Sequence, residues 1–298
     1  MSRPNRLIQF YLVNLCNSRC RTCHIWQNGQ AHRQELSIMQ VEEVIKEFPE
    51  ADYVFGGGEF TLYNQRDRLL DWCDKNNINY TVLSNAVSLK LLEQLLASHN
   101  IKNLTMSCDG THHDEIRGIK GNRKNIEEII KAWRGHIPNI KLSYTLSSFN
   151  EGYIDEDMEY FRQLGFDKIY FCIAQNMELL KVEGNVTPSI ESLKYLNESY
   201  SYMLYDKDQQ LLDDFINGRH RKCDSISRVH TIYTNGDVVR CQSLLSNNVL
   251  GNINEHRFYD IIKADEQRLS QYATGFVCPY NDQCELVCQR RYDYEDRV

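Results

Sequence analysis

Short apolar runs alternate with amphipathic helical segments through roughly the first 180 residues, and no other feature restricts the fold as strongly. Strand-like runs fall at Leu7 to Asn14, Asp52 to Gly58, Tyr80 to Ala86, Asn103 to Gly110, Lys141 to Ser148 and Lys168 to Asn176. Between them, Ser37 to Phe48 reads as a helix, with Ile38, Val41, Val44 and Ile45 on one face, Ser37 as its cap and Pro49 as its stop. Further helical segments follow at Arg66 to Lys75, Ser88 to Ser98, Asn125 to Trp133 and Asp155 to Leu164. Parallel strands need crossover connections, so this succession of six β–α units implies an α/β fold with a parallel sheet. Periodicity alone leaves a doubly wound sheet and an incomplete barrel open. In both, ligand chemistry gathers at the carboxyl ends of the strands. The informative residues fall there: a cysteine loop, Gly56 to Glu59, Ser84 with Asn85, and Asp109. Downstream, Ser189 to Asn217 reads as one long helical stretch packed on the barrel. His230 to Cys241 reads as a hairpin with a type I′ turn at Asn235-Gly236, and Phe258 to Tyr272 as a further helix.

The chain has 298 residues, and its 34 Lys and Arg against 41 Asp and Glu give a formal charge of −7. Binding to nucleic-acid phosphates needs an excess of cations, so nucleic acid is disfavoured as a partner. Short basic runs at Arg219 to Lys222 and Arg290-Arg291 read as solvated faces. No window approaches the ~18 to 20 apolar residues of a membrane span, and the start lacks a secretory h-region. The expected location is the cytoplasm, with no membrane partner. In that compartment the eleven cysteines point to metal rather than to disulfides. They divide into an early group, Cys16, Cys20 and Cys23, a late group from Cys223 onward, and Cys73, Cys108 and Cys172 between.

Cys16-x3-Cys20-x2-Cys23 supplies three thiolates on a short loop, which suits an iron–sulfur cluster or zinc. Three ligands rather than four leave one iron of a cubane open to a further ligand. The segments CNSRCRTC, GGGEF, LSNA and SCDGTHHDEIRGIKG stand at successive strand ends. Together they resemble the radical S-adenosylmethionine (radical SAM) superfamily, in the branch that carries an added C-terminal cluster domain called SPASM or, when shortened, twitch. The resemblance implies a partial (β/α)6 TIM-like barrel over residues 1–188, a helical linker over 189–218, and a small β-hairpin/helix cluster-binding domain over 219–298.

It also implies that Cys16, Cys20 and Cys23 hold a [4Fe-4S] cluster whose open iron is chelated by SAM. Reductive cleavage of SAM to a 5′-deoxyadenosyl radical would follow, with the electron coming from a donor such as flavodoxin or ferredoxin. Gly56, Gly57 and Gly58 would let backbone approach the ligand, and Glu59 would accept from the SAM ammonium. Ser84 and Asn85 are candidates for the ribose or carboxylate, and Ser107 and Asp109 for SAM or substrate. Arg117 is expected to pair with a carboxylate of the site or merely with Asp114. Two positions depart from the family pattern: Thr22 stands where an aromatic is usual, and Phe60 where a proline follows the motif glutamate.

Cys223-x12-Gly236-x4-Cys241 followed by Cys278-x5-Cys284-x3-Cys288 is similar to the SPASM framework, but Gly275 replaces its next cysteine and none follows Cys288. Five cysteines suit one auxiliary [4Fe-4S] cluster rather than two, with Cys223, Cys241, Cys284 and Cys288 as ligands and Cys278 as a substitute for one of the last pair. Structural zinc is the competing reading.

The implied substrate is a peptide or protein, although the chain shows no added N-terminal module for gripping a leader peptide. The runner-up is a sugar or aminoglycoside undergoing dehydrogenation or epimerisation, and the non-enzymatic alternative is a zinc-stabilised binding protein. Cys108, Cys172 and Cys278 are the candidate hydrogen donors to a substrate radical. His112 and His113 read as solvated loop residues, Cys73 as core, and Trp26 as a shield or packing residue beside the cysteine loop.

Overall fold

The structure is a computed structural model that describes residues 6–27, 32–175, 182, 184–217, 229–240 and 249–271. Its centre is a nine-stranded sheet. Strands β1 (Leu7–Tyr11), β2 (Asp52–Gly56), β3 (Tyr80–Ser84), β4 (Asn103–Ser107), β5 (Asn139–Leu146) and β6 (Tyr170–Ile173) are all parallel to their neighbours. They follow one another in sequence order across the sheet. A doubly wound sheet reverses its strand order at a switch point. Across these six consecutive strands the order does not reverse, which favours the partial barrel left open by periodicity.

Helices α1 (Ile38–Glu47), α2 (Arg66–Lys75), α3 (Leu89–Ser98), α4 (His113–Arg117), α5 (Asn122–Trp133) and α6 (Ile154–Gln163) make the crossovers. The cap read at Ser37 is a capping box, in which Gln40 N donates to Ser37 Oγ and Ser37 N donates to Gln40 Oε1. Alternation along the strands separates two environments. On β5, Leu142, Tyr144 and Leu146 are buried on the helix side, whereas Lys141, Ser143 and Thr145 are half-buried on the lumen side. The helix side holds the main core, including Phe10, Phe55, Leu104, Met106, Cys108, Tyr144 and Phe171. Cys73 belongs to this core and is fully buried, as expected. The lumen holds a smaller cluster of Leu7, Val54 and Val229 with Leu83 against it. At the amino ends of the strands, side-chain amides form a ladder: Asn79 donates to Asp52 (2.8 Å), Asn103 to Asn79 (3.3 Å) and Asn139 to Asn103 (2.9 Å).

The stretch from Ser189 is two helices rather than one, α7 (Ile190–Tyr200) and α8 (Asp206–Ile216). The break between them is tied to the barrel, since Ile169 N donates to Met203 O and Ile169 bridges Leu204. Beyond α8, β7 (Val229–Ile232) pairs in parallel with β1, and β8 (Asp237–Val239) and β9 (Val249–Asn252) continue antiparallel. The expected hairpin is therefore an extension of the barrel sheet. Its turn is not type I′, which needs positive φ at both central residues. Gly236 has φ +89°, but Asn235 is not among the positive-φ residues. Gly236 N donates to Tyr233 O and Tyr233 N to Asp237 O. This is a three-residue loop, a type I turn followed by a left-handed glycine. Helix α9 (Phe258–Gln271) docks on α1 through Phe48 against Phe258 and through Arg257 on Glu47. Among the described residues no helix is long and apolar enough to cross a membrane.

Candidate active site

The cysteine loop leaves β1 and runs beside the glycine stretch that ends β2. Gly58 N donates to Val13 O (2.7 Å) and Glu59 N to Leu15 O (3.0 Å). A Cβ on Gly57, where φ is +143°, would lie 2.3 Å from Val13 O, and one on Gly58 would lie 2.4 Å from Leu15 O. The close approach required of these two glycines is thus to the backbone of the cysteine loop itself. Gly56 meets only the Leu83 side chain at ordinary distance. At its far end the loop is held by α4, with Arg19 N donating to Arg117 O (2.9 Å) and Arg21 N to Ile116 O (2.8 Å). Residues 16–23 thereby cross the mouth of the barrel from β1 to the segment after β4.

Cys16, Cys20 and Cys23 are free thiols, Cys20 buried and the other two half-buried. Burial, helped by repulsion from Glu59 and the other two cysteines, pushes the Cys16 thiol up to about 12. Burial and the neighbouring Cys20 push Cys23 up to about 11. Metal binding requires thiolates, so a cationic centre is what would bring these groups to their binding form. Among the described residues no three His, Cys, Asp or Glu side chains converge on a single ion. A cubane is compatible with that spacing, because each of its cysteines binds a different iron.

Glu59 is 2% exposed. Its Oε1 accepts from Thr61 N (3.1 Å), Thr61 Oγ1 (2.8 Å) and Ser84 Oγ (2.8 Å), and its Oε2 accepts from Asn85 N (2.7 Å). Burial still holds its carboxyl above the ordinary value against all four donors. Among the described residues no cation pairs with it. Oε2, with one donor, keeps capacity for another. A buried carboxylate with neutral donors, an open acceptor and a place beside Cys16 suits a cationic ligand such as the ammonium of SAM, so the residues present fit that cofactor.

Ser84, 3% exposed, is spent on Glu59 and on Ala86 N, and so acts as its support. Asn85 Nδ2 reaches the cysteine loop at Asn17 Oδ1 (2.9 Å), Ser18 Oγ (3.2 Å) and Cys16 Sγ (3.7 Å). The parts played by Thr61, Asn17 and Ser18 do not emerge from the motifs. The signal for Thr61 is its place two residues after the glutamate, a spacing at which Ser and Thr hydroxyls support loops.

Asp109 lies behind the loop, fully buried. Arg117 does pair with a carboxylate, that of Asp109 rather than Asp114, through both Nε and Nη2, the latter at 2.9 Å. Asp114 accepts from Gly121 N and Arg123 N and closes the turn before α5. His113 is not a solvated loop residue. It is fully buried, and its Nδ1 accepts from Asp109 N at 3.0 Å. His112 stacks on Tyr153 at 3.7 Å between ring centroids.

Ser107 is half-buried at the end of β4, opposite Ser143 on β5. The candidate hydrogen donors occupy different environments. Cys108 is fully buried in the helix-side core. Cys172 shares the parity of half-buried Tyr170 on β6, with Sγ 3.9 Å from Ser143 Oγ on the lumen side. Cys278 lies outside the described residues, as do Cys223, Cys241, Cys284 and Cys288. Of the two departures from the family pattern, Phe60 is fully buried and stacks on Phe55, so the core absorbs it. Thr22 is also buried. Trp26 is half-buried, with the Arg19 guanidinium 5.7 Å from its ring.

In fold the chain is similar to SuiB of Streptococcus suis bound to the precursor peptide SuiA, with a TM-score of 0.65 and 16% identity over 87% of this chain and 64% of SuiB. It is also similar to anSMEcpe with bound AdoMet and Cp18Cys peptide, with a TM-score of 0.67 and 16% identity over 99% of this chain and 92% of that one. A histidine-tagged anSMEcpe with bound AdoMet gives 0.66 and 16% over 99% and 88%. No curated protein sequence matches the chain. The family model of the radical SAM superfamily matches residues 10–171, more than half of the sequence and the part that carries the cysteine loop, Glu59 and Asp109, and the chain therefore belongs to the radical SAM superfamily.

Proposed function

We propose that Cys16, Cys20 and Cys23 hold a [4Fe-4S] cluster that binds SAM, and that the enzyme removes a hydrogen atom from a peptide. The observation that carries this reading is the buried carboxylate of Glu59, without a cationic partner among the described residues, beside a three-cysteine loop pinned across the barrel mouth. Cluster and SAM together supply hydrogen-atom abstraction when bound. The chain's own part is to hold the loop at both ends, to present Glu59 Oε2, and to line the lumen with Ser107, Ser143, Thr145 and Cys172. A peptide is favoured as substrate because SuiB and anSMEcpe, similar in fold, are each solved with one. The sheet of the described residues also ends in separate edges at β6 and β9, which gives an extended ligand a way in from the side. The lumen hydroxyls favour a second reading, a sugar or aminoglycoside.

One auxiliary [4Fe-4S] cluster at four of Cys223, Cys241, Cys278, Cys284 and Cys288 completes the proposal, supported by their spacing. The test is anaerobic reconstitution of the wild type and a C16A/C20A/C23A variant, with iron, sulfide and zinc counted and 5′-deoxyadenosine assayed under a low-potential reductant. About eight irons, falling by about four with loss of 5′-deoxyadenosine, are expected. About four in the wild type would remove the auxiliary cluster, and no iron or SAM cleavage would remove the whole reading. Deuterated peptide and aminoglycoside pools then separate the substrate classes by which of them labels 5′-deoxyadenosine.

A further inference from the structure

The Asp109–Arg117 pair is unusual in being buried, satisfied and still directional. Its side chains are 1% and 13% exposed. A guanidinium carries five N–H groups, and Asp109 engages those on Nε and Nη2. The remaining nitrogen, Nη1, points at Cys20 Sγ from 3.8 Å. Both partners are fixed from several directions. Asp109 N donates to His113, Asp109 Oδ1 accepts from Thr145 N (3.4 Å), and Asp109 O accepts from Asn150 Nδ2 (3.4 Å). Arg117 O accepts from Arg19 N, one residue from the cysteine it faces. On the other side of the loop Asn85 Nδ2 stands 3.7 Å from Cys16 Sγ.

Hydrogen bonds to the sulfurs of an iron–sulfur cluster are one of the levers that set its potential. The more negative, reduced state gains more from a positive N–H donor than the oxidised state does. Inside a protein the gain is larger, because water does not screen it. Removing a cation from beside Cys20 should therefore make the cluster harder to reduce.

We propose that Arg117 is a positioning residue that raises the reduction potential of the cluster held by Cys16, Cys20 and Cys23, by donating from Nη1 to Cys20 Sγ, and that Asp109 serves as its orienting partner rather than as a SAM or substrate ligand. This rests on the cluster assignment made above. The step is one electron into the cluster from an external low-potential donor; no covalent bond changes at Arg117.

The test is a redox titration followed by electron paramagnetic resonance on the full-length, anaerobically reconstituted protein without SAM, so that ligand binding does not enter. The signal of the first cluster is the one missing from C16A/C20A/C23A. R117Q removes the charge, and R117K keeps it but loses the fork that spans Asp109 and Cys20. R123K, which alters an arginine paired with Glu127, is the control. Both Arg117 variants are expected to load iron as the wild type does and to shift the reduction equilibrium about tenfold toward the oxidised form, about 59 mV for a one-electron couple. If R117Q fails to fold because Asp109 is left unpaired, R117K decides. A potential in R117K no further from wild type than that of R123K overturns the inference and leaves the cluster assignment standing. Absence of the signal from the wild type overturns both.

Discussion

Burial shifts His113 and Asp157 in opposite directions, so removing either one changes how stability depends on pH. Burial lowers His113 from 6.5 to about 4. The folded protein therefore binds that proton only below about pH 4, whereas the unfolded chain binds it below 6.5. Between those values the unfolded state holds more protons, so this group's contribution grows with pH, is complete above 6.5 and is gone below about 4. At 1.36 kcal/mol per unit of pKa it amounts to roughly 3 kcal/mol.

Asp157, also fully buried, works in the opposite direction. Burial raises it from 3.8 to about 6, despite donors from Thr111 N (2.7 Å), Thr111 Oγ1 (2.8 Å) and Tyr144 OH (2.9 Å). The folded state keeps this proton up to about pH 6, so the contribution is full below 3.8 and lost as pH rises through 6. It too is roughly 3 kcal/mol, and the two slopes cancel between pH 4 and 6. Urea unfolding of the cluster-free chain across that range reads each slope as a difference between variant and wild type. Relative to wild type, the D157N profile should rise by about 1.4 kcal/mol more per pH unit, and the H113Q profile by as much less. Carbon-13 labelling of the histidines supplies the direct reading, with H113Q assigning the resonance. A His113 that titrates at 6 or above, or a D157N slope no more positive than that of wild type, would refute the argument.

Three further outcomes are expected. Gly57→Ala places a Cβ against Val13 O in a left-handed conformation and should destabilise the protein by about 2 to 4 kcal/mol, with loss of iron loading measured after reconstitution. Glu59→Gln exchanges a charged acceptor for a neutral amide and should weaken SAM binding by about 1.5 to 3 kcal/mol, or tenfold to over a hundredfold in Kd by calorimetry; unchanged affinity would take Glu59 out of the site. Cys172→Ala should leave 5′-deoxyadenosine formation intact and abolish product if the lumen thiol returns a hydrogen atom. Cys108→Ala should leave product intact and lower thermal stability, since its thiol packs in the core; the reverse pattern would exchange the two roles.

The alternation of strands and helices locates all six barrel strands to within a few residues, because strand period and helix caps are local signals. What periodicity leaves open, the choice between barrel and doubly wound sheet, depends on strand order, which no local pattern carries. The helical stretch from Ser189 reads as continuous because nothing in its apolar spacing marks the break that Ile169 imposes from another part of the chain. The site divides in the same way. The three cysteines and Glu59 are legible as a motif, while the partner of Arg117 is not: Asp114 stands three residues away, at helical spacing, and the structure uses Asp109 across a turn. His113 reads as solvated because a histidine in a polar run gives no sign that its ring is folded under the strand end. The glycines suggest a ligand, and the contact that requires two of them is the chain's own backbone.

The cysteine loop is held at its far end by a backbone 97 residues downstream of Cys20. Its three thiols precede nearly the whole barrel on the growing chain, yet the bonds from Arg19 and Arg21 cannot form until Ile116 and Arg117 have been made and packed. Closing a loop of that length costs entropy before its contacts repay it. The ligands are therefore synthesised well before the residues that place them. Iron supplied to a nascent chain would meet three unrestrained thiols, whereas iron supplied to the finished barrel would meet a formed cradle. Maturation of the protein is in this sense ordered by its topology, with folding ahead of loading.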